Sequence, residues 1–117
     1  MANNTNNTNN TNNIDKLNID GMSQLAIASE NGNYGRVLDL LRSGANVNKC
    51  CKVGWSPIHG AVQGNHPDIV ELLIKAGADV NKKYYDITHG KKKYYNPLSL
   101  AYKHELNSKS ELIINLL

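Results

Sequence analysis

The sequence predicts an all-α solenoid of helix–turn–helix pairs, from which turns or β-hairpin fingers project. The segments 40–49 and 73–82 correspond in residue type, 33 positions apart. Residues of the same kind recur at this spacing both within the two segments and in the residues before them. The matched positions are Leu25/Ile58, Ala28/Ala61, Val37/Val70, Leu40/Leu73, Gly44/Gly77 and Val47/Val80. A unit of this size cannot bury its apolar face alone, so neighbouring units are expected to stack side by side.

The second unit contains clear signals for two helices. Ser56 is a good N-cap and Pro57 suits the first helical position, so we expect a helix from about residue 57. That helix should end near residues 64–65, and His66-Pro67 should open a second helix that is apolar on most sides. Gly77 is expected to supply the left-handed cap at its end. The residues from 78 to 81 are short and polar, which indicates a projecting turn.

Residues 54–61 read Gly-Trp-Ser-Pro-Ile-His-Gly-Ala, and residues 77–81 read Gly-Ala-Asp-Val-Asn. On these motifs the chain resembles the ankyrin repeat family over residues 21–117. The resemblance implies repeats at about 21–53, 54–86 and 94–117, with an insert within 82–95. It also implies that His59 has a structural role at its helix start. In the family, partners commonly lie against the projecting turns and the exposed side of each first helix.

The two end units depart from the pattern, as terminal repeats usually do. The first has Ser23-Gln24 where the second has the proline motif. The third begins at Asn96, with Asn96 as N-cap and Pro97 after it, 40 residues after Ser56, so seven residues are inserted. Its last helix, about 108–117, leaves leucine and isoleucine side chains without a following repeat. We therefore predict some exposed apolar surface. Three interpretations stay open: Lys109 and its neighbours cap the end, the C-terminal repeat self-associates, or it docks onto further repeats.

Residues 1–20 are expected to be a tail and a lead-in to the repeats. Asn-Asn-Thr recurs three times before residue 13, and such polar tracts cannot offset their ordering entropy, so disorder is predicted. Asn3, Asn6 and Asn9 head glycosylation sequons, which we interpret as products of composition. No secretory signal and no membrane-length apolar stretch is visible, so we expect a cytoplasmic protein without membrane contact. Adjacent Cys50 and Cys51 should be free thiols.

The insert at 82–95 holds five lysines against one aspartate and four of the six tyrosines. Two Lys/Tyr arms flank the turn-prone residues 86–90, which predicts a long β-hairpin finger. Three interpretations stay open for it: a solvated finger without a partner, a protein-binding surface, or a nucleic-acid contact in which lysines meet phosphates and tyrosines stack on bases.

Catalysis and metal binding are not expected. Adjacent cysteines lack the ligand spacing of a zinc site, and Ser56 and His59 have no third group to complete a hydrolytic set. No phosphate-binding glycine loop is present, so no cofactor is predicted.

The sequence thus predicts a non-catalytic module that binds an unidentified protein partner through its fingers and concave helix face. Trp55 is the sharpest candidate, because a large aromatic residue at a surface turn is typical of binding hot spots. Outward positions on the first helices are predicted at Ile27, Glu30, Gly60, Gln63, Leu100 and Lys103. The other candidate partner-binding residues are Asn46, Asn48, Lys49, Lys52, Asp79, Asn81, Lys82, Tyr84, Tyr85 and Tyr94.

Overall fold

The computed structural model describes residues 14–103 and 107–117. The helices and strands within them are, in chain order, α1 (Gln24–Asn31), α2 (Tyr34–Arg42), α3 (Pro57–Gln63), α4 (Pro67–Lys75), β1 (Tyr84–Thr88), β2 (Lys91–Tyr95), α5 (Pro97–Lys103) and α6 (Ser108–Leu116). The Asn/Thr tail and its sequons lie outside the described residues, so their predicted disorder stays a prediction.

Three helix pairs stack in two layers. The first helices form one layer, in which α3 packs between α1 and α5. The second helices form the other layer, in which α4 packs between α2 and α6. The structure therefore agrees with the predicted helix–turn–helix stack, and the predicted helix openings at Pro57 and Pro97 are confirmed.

Side-chain caps start several of these helices. The Ser23 hydroxyl accepts a hydrogen bond from the Ala26 N–H at 3.1 Å, and Asn96 Oδ1 accepts one from the Ser99 N–H at 2.8 Å. Asn107 caps α6 in the same way and also donates its own N–H to the Ser110 hydroxyl at 2.6 Å. Each bond satisfies an amide that the first helical turn would otherwise leave unpaired. The predicted cap at Asn96 is confirmed.

The residues that recur 33 positions apart build the core. Leu25, Ile58, Val37, Val70, Leu40 and Leu73 are all buried, as are the small residues Ala28 and Ala61 between the first helices. The ends of α2 and α4 also match, because Ala45 N–H donates to the Leu40 carbonyl and Ala78 N–H to the Leu73 carbonyl, both at 2.9 Å. Gly77 precedes Ala78 with φ +98°, which confirms the predicted left-handed cap.

The insert forms the predicted hairpin. Strands β1 and β2 are antiparallel, with Tyr84 opposite Tyr95 and Thr88 opposite Lys91. His89 and Gly90 connect them with φ values of 52° and 75°, the left-handed geometry of a two-residue type I′ turn. The turn is shorter than the predicted 86–90, since Asp86 and Ile87 pair with Lys93 and Lys92 across the sheet.

Candidate partner-binding surface

The first finger is the connection between α2 and α3 (residues 43–56), and the second finger follows α4 (residues 76–83). Their polar residues form a row of hydrogen bonds along the stack. Asp15 Oδ1 accepts from the Asn46 N–H at 2.8 Å, and Asn46 Oδ1 accepts from the Asn48 N–H at 2.9 Å. Asn48 Oδ1 in turn accepts from the Asp79 N–H at 2.7 Å, which joins one finger to the next. Asp79 Oδ1 then accepts from the Asn81 N–H at 2.9 Å. These four predicted partner-binding residues therefore shape the fingers, although all four are solvent exposed.

An aromatic cluster joins the hairpin to the start of α3. The Tyr84 ring lies edge-on to Trp55, with ring centroids 4.7 Å apart, and edge-on to His59 at 5.2 Å. Tyr84 also stacks on Tyr95 at 5.5 Å, so both strands of the hairpin are anchored at their base. Edge-to-face and offset aromatic pairs of this kind add to the stabilisation from burial. Tyr84 is only 7% exposed and has little surface to offer a partner.

Hydrogen bonds fix the tautomer of His59 in this cluster. The Ser56 N–H points at His59 Nδ1 from 3.1 Å, so Nδ1 must be the unprotonated acceptor. The Ser56 hydroxyl, at 2.9 Å, donates to the same nitrogen. On the other side Nε2–H donates to the Lys82 carbonyl at 2.9 Å. The ring is 0% exposed, and burial is the main cause that lowers the pKa of His59 to about 4. His59 is thus a neutral structural link between a helix start and a finger.

A second histidine, His66, links neighbouring repeats in a way that the sequence did not reveal. His66 lies just before α4, and its Nε2 donates to the carbonyl of Glu30 in α1 at 2.9 Å. Gly32 and Gly64 leave room for the ring, since a Cβ on either would come within 2.6 Å of an imidazole carbon. In the sequence, only the presence of Gly32 and Gly64 together with His66 could have indicated the contact between His66 and Glu30.

The lysines of the hairpin cover tyrosine rings. The Lys92 ammonium lies 4.4 Å from the centroid of Tyr85, and Lys93 lies 5.6 Å from that of Tyr95. Lys103 of α5 lies 4.6 Å from Tyr95 and pairs with Asp86 at 3.2 Å. Cation–π contacts such as these leave the charged groups near solvent while one ring face is occupied. Tyr94, by contrast, is 57% exposed.

An open groove lies between the first finger, the hairpin and α1. Its volume is about 560 Å³, and we call it the Trp55 groove. Its lining consists of Asp20, Met22, Glu30, Cys51, Val53, Trp55, Tyr84, Tyr85, Asp86 and Ile87. The charged members of this lining are all carboxylates. Trp55 is half-buried, so its ring packs on Tyr84 and His59 and still borders the groove.

The remaining predicted positions are not part of the groove lining. Lys52 and Gln63 are exposed, while Lys49, Lys82 and Ile27 are half-buried. Two outward predictions are wrong. Leu100 is 0% exposed, because it belongs to the core between α3 and α5. Gly60 is buried where α3 approaches α1, and a Cβ there would lie 2.9 Å from the Ala26 carbonyl oxygen.

The end of the stack carries exposed apolar side chains. Leu112 is 55% exposed and Leu116 is 37% exposed, and both border a shallow cleft against the start of α4. On α5, Leu98 and Tyr102 are also exposed. The predicted exposure of apolar residues in the last helix pair is therefore confirmed, while self-association stays a prediction.

Within residues 14–103 and 107–117, no three histidine, cysteine, aspartate or glutamate side chains are grouped so as to hold a metal ion. Cys50 and Cys51 are free thiols there, as predicted. In the same part of the chain, no helix has both the length and the apolar character needed to cross a bilayer.

Stacked helix pairs with projecting fingers define the class of helical repeat proteins. The sequence family described as "Ankyrin repeats (3 copies)" matches residues 2–84, which is more than half of the chain. The chain belongs to the ankyrin-repeat family. The matched range ends at the first residue of β1, whereas the structure continues the stack with α5 and α6.

Similar proteins carry the same repeats in longer chains. Mouse 2-5A-dependent ribonuclease is 41% identical over 66 residues, which cover 56% of this chain and 9% of the ribonuclease. Mouse protein phosphatase 1 regulatory subunit 27 is 35% identical over 66 residues, covering 56% of this chain and 43% of that protein. The mouse B-cell lymphoma 3 protein homolog is 38% identical over 69 residues, covering 58% and 15%. The chain spans less than half the length of each.

Ankyrin repeats generally mediate protein–protein interaction and are typically non-catalytic. The ribonuclease relative is matched over less than a tenth of its length, so its name says nothing about the chemistry of the shared segment.

Proposed function

We propose that the chain is a non-catalytic interaction module that holds a protein partner in the Trp55 groove and along the fingers beside it. The observation that carries the proposal is the groove itself, which places a fixed aromatic ring at the edge of an apolar recess. Such recesses at the centre of an exposed surface are where binding energy concentrates in protein interfaces.

Trp55 supports this function because its ring is already ordered. Its contacts with His59 and Tyr84 hold the indole before any partner arrives, so little side-chain entropy is lost on binding. Tyr85 and Tyr94 extend the aromatic surface along one face of the hairpin, with ring centroids 5.7 Å apart. Tyrosine and tryptophan supply large contact area at low entropic cost.

Charged and polar residues would form the rim of the interface. We assign this role to Lys49, Lys52, Gln63 and Lys103, of which Lys103 pairs with Asp86 of the groove lining at 3.2 Å. Charged residues at an interface rim mainly affect the rate of association and its salt dependence. We therefore propose that these residues steer the partner towards the groove and fix its alignment. We propose that the main role of Asn46, Asn48, Asp79 and Asn81 is to hold the shape of the fingers, and that contact with a partner is their secondary role.

The proposal is tested by comparing proteins captured from a lysate by the immobilised wild-type chain and by Trp55→Ala. Tyr34→Ala is the matched control, since Tyr34 is 43% exposed at the start of α2, in the layer away from the groove. We expect at least one protein whose capture falls about tenfold with Trp55→Ala, as for a hot-spot residue, and is unchanged with Tyr34→Ala.

Because Trp55 also packs in the aromatic cluster, Tyr94→Ala is measured beside it, and circular dichroism checks that each variant is folded. Capture that is unaffected by both Trp55→Ala and Tyr94→Ala, while they remain folded, would overturn the proposal.

A nucleic-acid contact through the hairpin is the alternative function, favoured by the formal charge of +4 on the insert 82–95. The covered ring faces of Tyr85 and Tyr95 argue against base stacking, although phosphate contacts by Lys91 and its neighbours need no stacking. Fluorescence anisotropy with a random single-stranded oligonucleotide at low salt discriminates the two functions. We expect negligible binding; binding that is strong at low salt and collapses at moderate salt would favour the alternative.

A further inference from the structure

We propose that the outer edge of β1 accepts an extended peptide as a third strand of the sheet, with apolar residues that enter the Trp55 groove and a lysine or arginine that meets its carboxylates. The inference rests on the proposed function, because it names the kind of partner segment that the groove takes.

The open edge follows from the direction of one hydrogen bond. The Tyr85 N–H donates to the Val53 carbonyl of the first finger at 2.9 Å, so it points away from β2. In an antiparallel pair, alternate residues direct their backbone groups to the same side. Ile87 therefore also points its N–H and C=O away from β2. Outside the β1–β2 ladder, and among the described residues, neither Ile87 group has a backbone hydrogen-bond partner, and nor does the Tyr85 carbonyl.

The two edges of this hairpin differ in how they are protected. Strand β2 carries Lys91, Lys92 and Lys93, and lysines on an edge strand discourage pairing with other chains. Strand β1 has no lysine, and Ile87 on it is 67% exposed. An exposed apolar residue beside unpaired backbone groups is a template for strand addition. The asymmetry leaves the Ile87 end of the outer β1 edge available, next to the Tyr85 N–H that already bonds Val53.

The groove beside that edge determines what the added strand carries. Met22, Val53 and Trp55 supply apolar surface next to Ile87. The charged lining residues are Asp20, Glu30 and Asp86, of which Asp86 is paired with Lys103. Within the described residues Asp20 and Glu30 have no ion pair, and both are exposed. Charge complementarity therefore favours a basic occupant over an acidic one.

A synthetic peptide in which valine alternates with lysine and arginine is the probe. Trp55 is the only tryptophan of the chain, so its fluorescence reports entry into the groove. Amide hydrogen exchange at Ile87, followed by NMR, reports strand pairing. We expect saturable binding together with protection of the Ile87 amide.

Two control peptides separate strand addition from simple side-chain contact. N-methylation of alternate amides removes the donors needed for pairing and keeps every side chain, so binding should fall at least about tenfold. Replacement of the basic residues by glutamate should weaken binding by a similar factor. Equal binding of the N-methylated peptide would overturn the inference.

Matched variants of the protein test the same edge. Ile87→Pro removes the outward N–H without breaking a bond to β2, which is why proline is tolerated at such edge positions. It should weaken peptide binding about tenfold, and far more than Ile87→Val, which keeps the outward N–H. Circular dichroism confirms that both variants fold.

Further outcomes distinguish this inference from the proposed function. Partner capture that depends on Trp55 but is unaffected by Ile87→Pro would overturn strand addition and leave the interaction module standing. A wild-type dimer that Ile87→Pro converts to a monomer would show that a second copy occupies the edge, and would also overturn the peptide proposal.

Discussion

His59 should make the stability of this protein sensitive to mild acid. Burial lowers its pKa from 6.5 in the unfolded chain to about 4 in the folded protein. Between these values the unfolded chain binds a proton that the folded protein does not, so stability falls as the pH falls from 6.5 towards 4. Above pH 6.5 both states are neutral and the contribution is fully present.

The size of the effect follows from that difference. A shift of one pKa unit corresponds to about 1.4 kcal/mol, so lowering the pH from 7 to 5 should cost about 2 kcal/mol of unfolding free energy. The geometry gives an independent reason for the direction. Protonation at Nδ1 would place an N–H against the Ser56 N–H 3.1 Å away, which no rotation of the ring avoids while Nε2 holds the Lys82 carbonyl.

Urea unfolding of the wild type and of His59→Gln, followed by circular dichroism at pH 7, 6 and 5, measures this effect. The variant should be less stable at pH 7 and should lose about 2 kcal/mol less than the wild type on going to pH 5. His89→Asn is the matched control, since His89 is exposed in the hairpin turn and asparagine tolerates its positive φ. Parallel pH dependences for the wild type and His59→Gln would refute the reasoning.

Two further predictions concern packing and the end of the stack. Gly54→Ala should destabilise the fold by at least about 1 kcal/mol more than Gly44→Ala in urea unfolding. Both glycines have φ near +90°, but a Cβ at Gly54 would lie 2.4 Å from the Lys83 carbonyl oxygen while nothing lies within 4 Å of one at Gly44; equal losses would contradict the clash. Sedimentation at rising concentration should show self-association that a Leu112→Lys, Leu116→Lys double variant abolishes and Asn115→Lys does not; a wild type that stays monomeric would refute it.

Much of this fold could be predicted because its signals are local. Ser56 and Pro57 specify a helix start through short-range hydrogen bonding and a fixed φ, and Gly77 specifies its end through a left-handed backbone. The 33-residue spacing then requires the units to stack, since each has an apolar face that it cannot cover alone. The two strands of the hairpin were predicted from the strand propensity of tyrosine and from the turn-prone residues between them. Only the predicted length of the turn was wrong.

Positions that depend on neighbouring repeats were predicted less well. Leu100 was predicted to face outward by analogy with the other first helices, yet its side chain is buried in the hydrophobic core. Tyr84 was grouped with Tyr85 and Tyr94 by composition, whereas its ring is buried against Trp55 and His59. A one-residue step along a strand reverses the face, and which face is buried depends on what the strand packs against.

The amino-acid order therefore decided the repeat, the helix starts and ends, and the basic hairpin, because each arises within a few residues of chain. Tertiary packing decided which aromatic rings remain accessible, that His59 is neutral, and that the outer edge of β1 is paired at Tyr85 and unpaired at Ile87. These depend on contacts between residues far apart in the chain, such as His59 with Lys82, 23 positions apart, and His66 with Glu30, 36 positions apart. Contacts of that range are set by how the helix pairs stack.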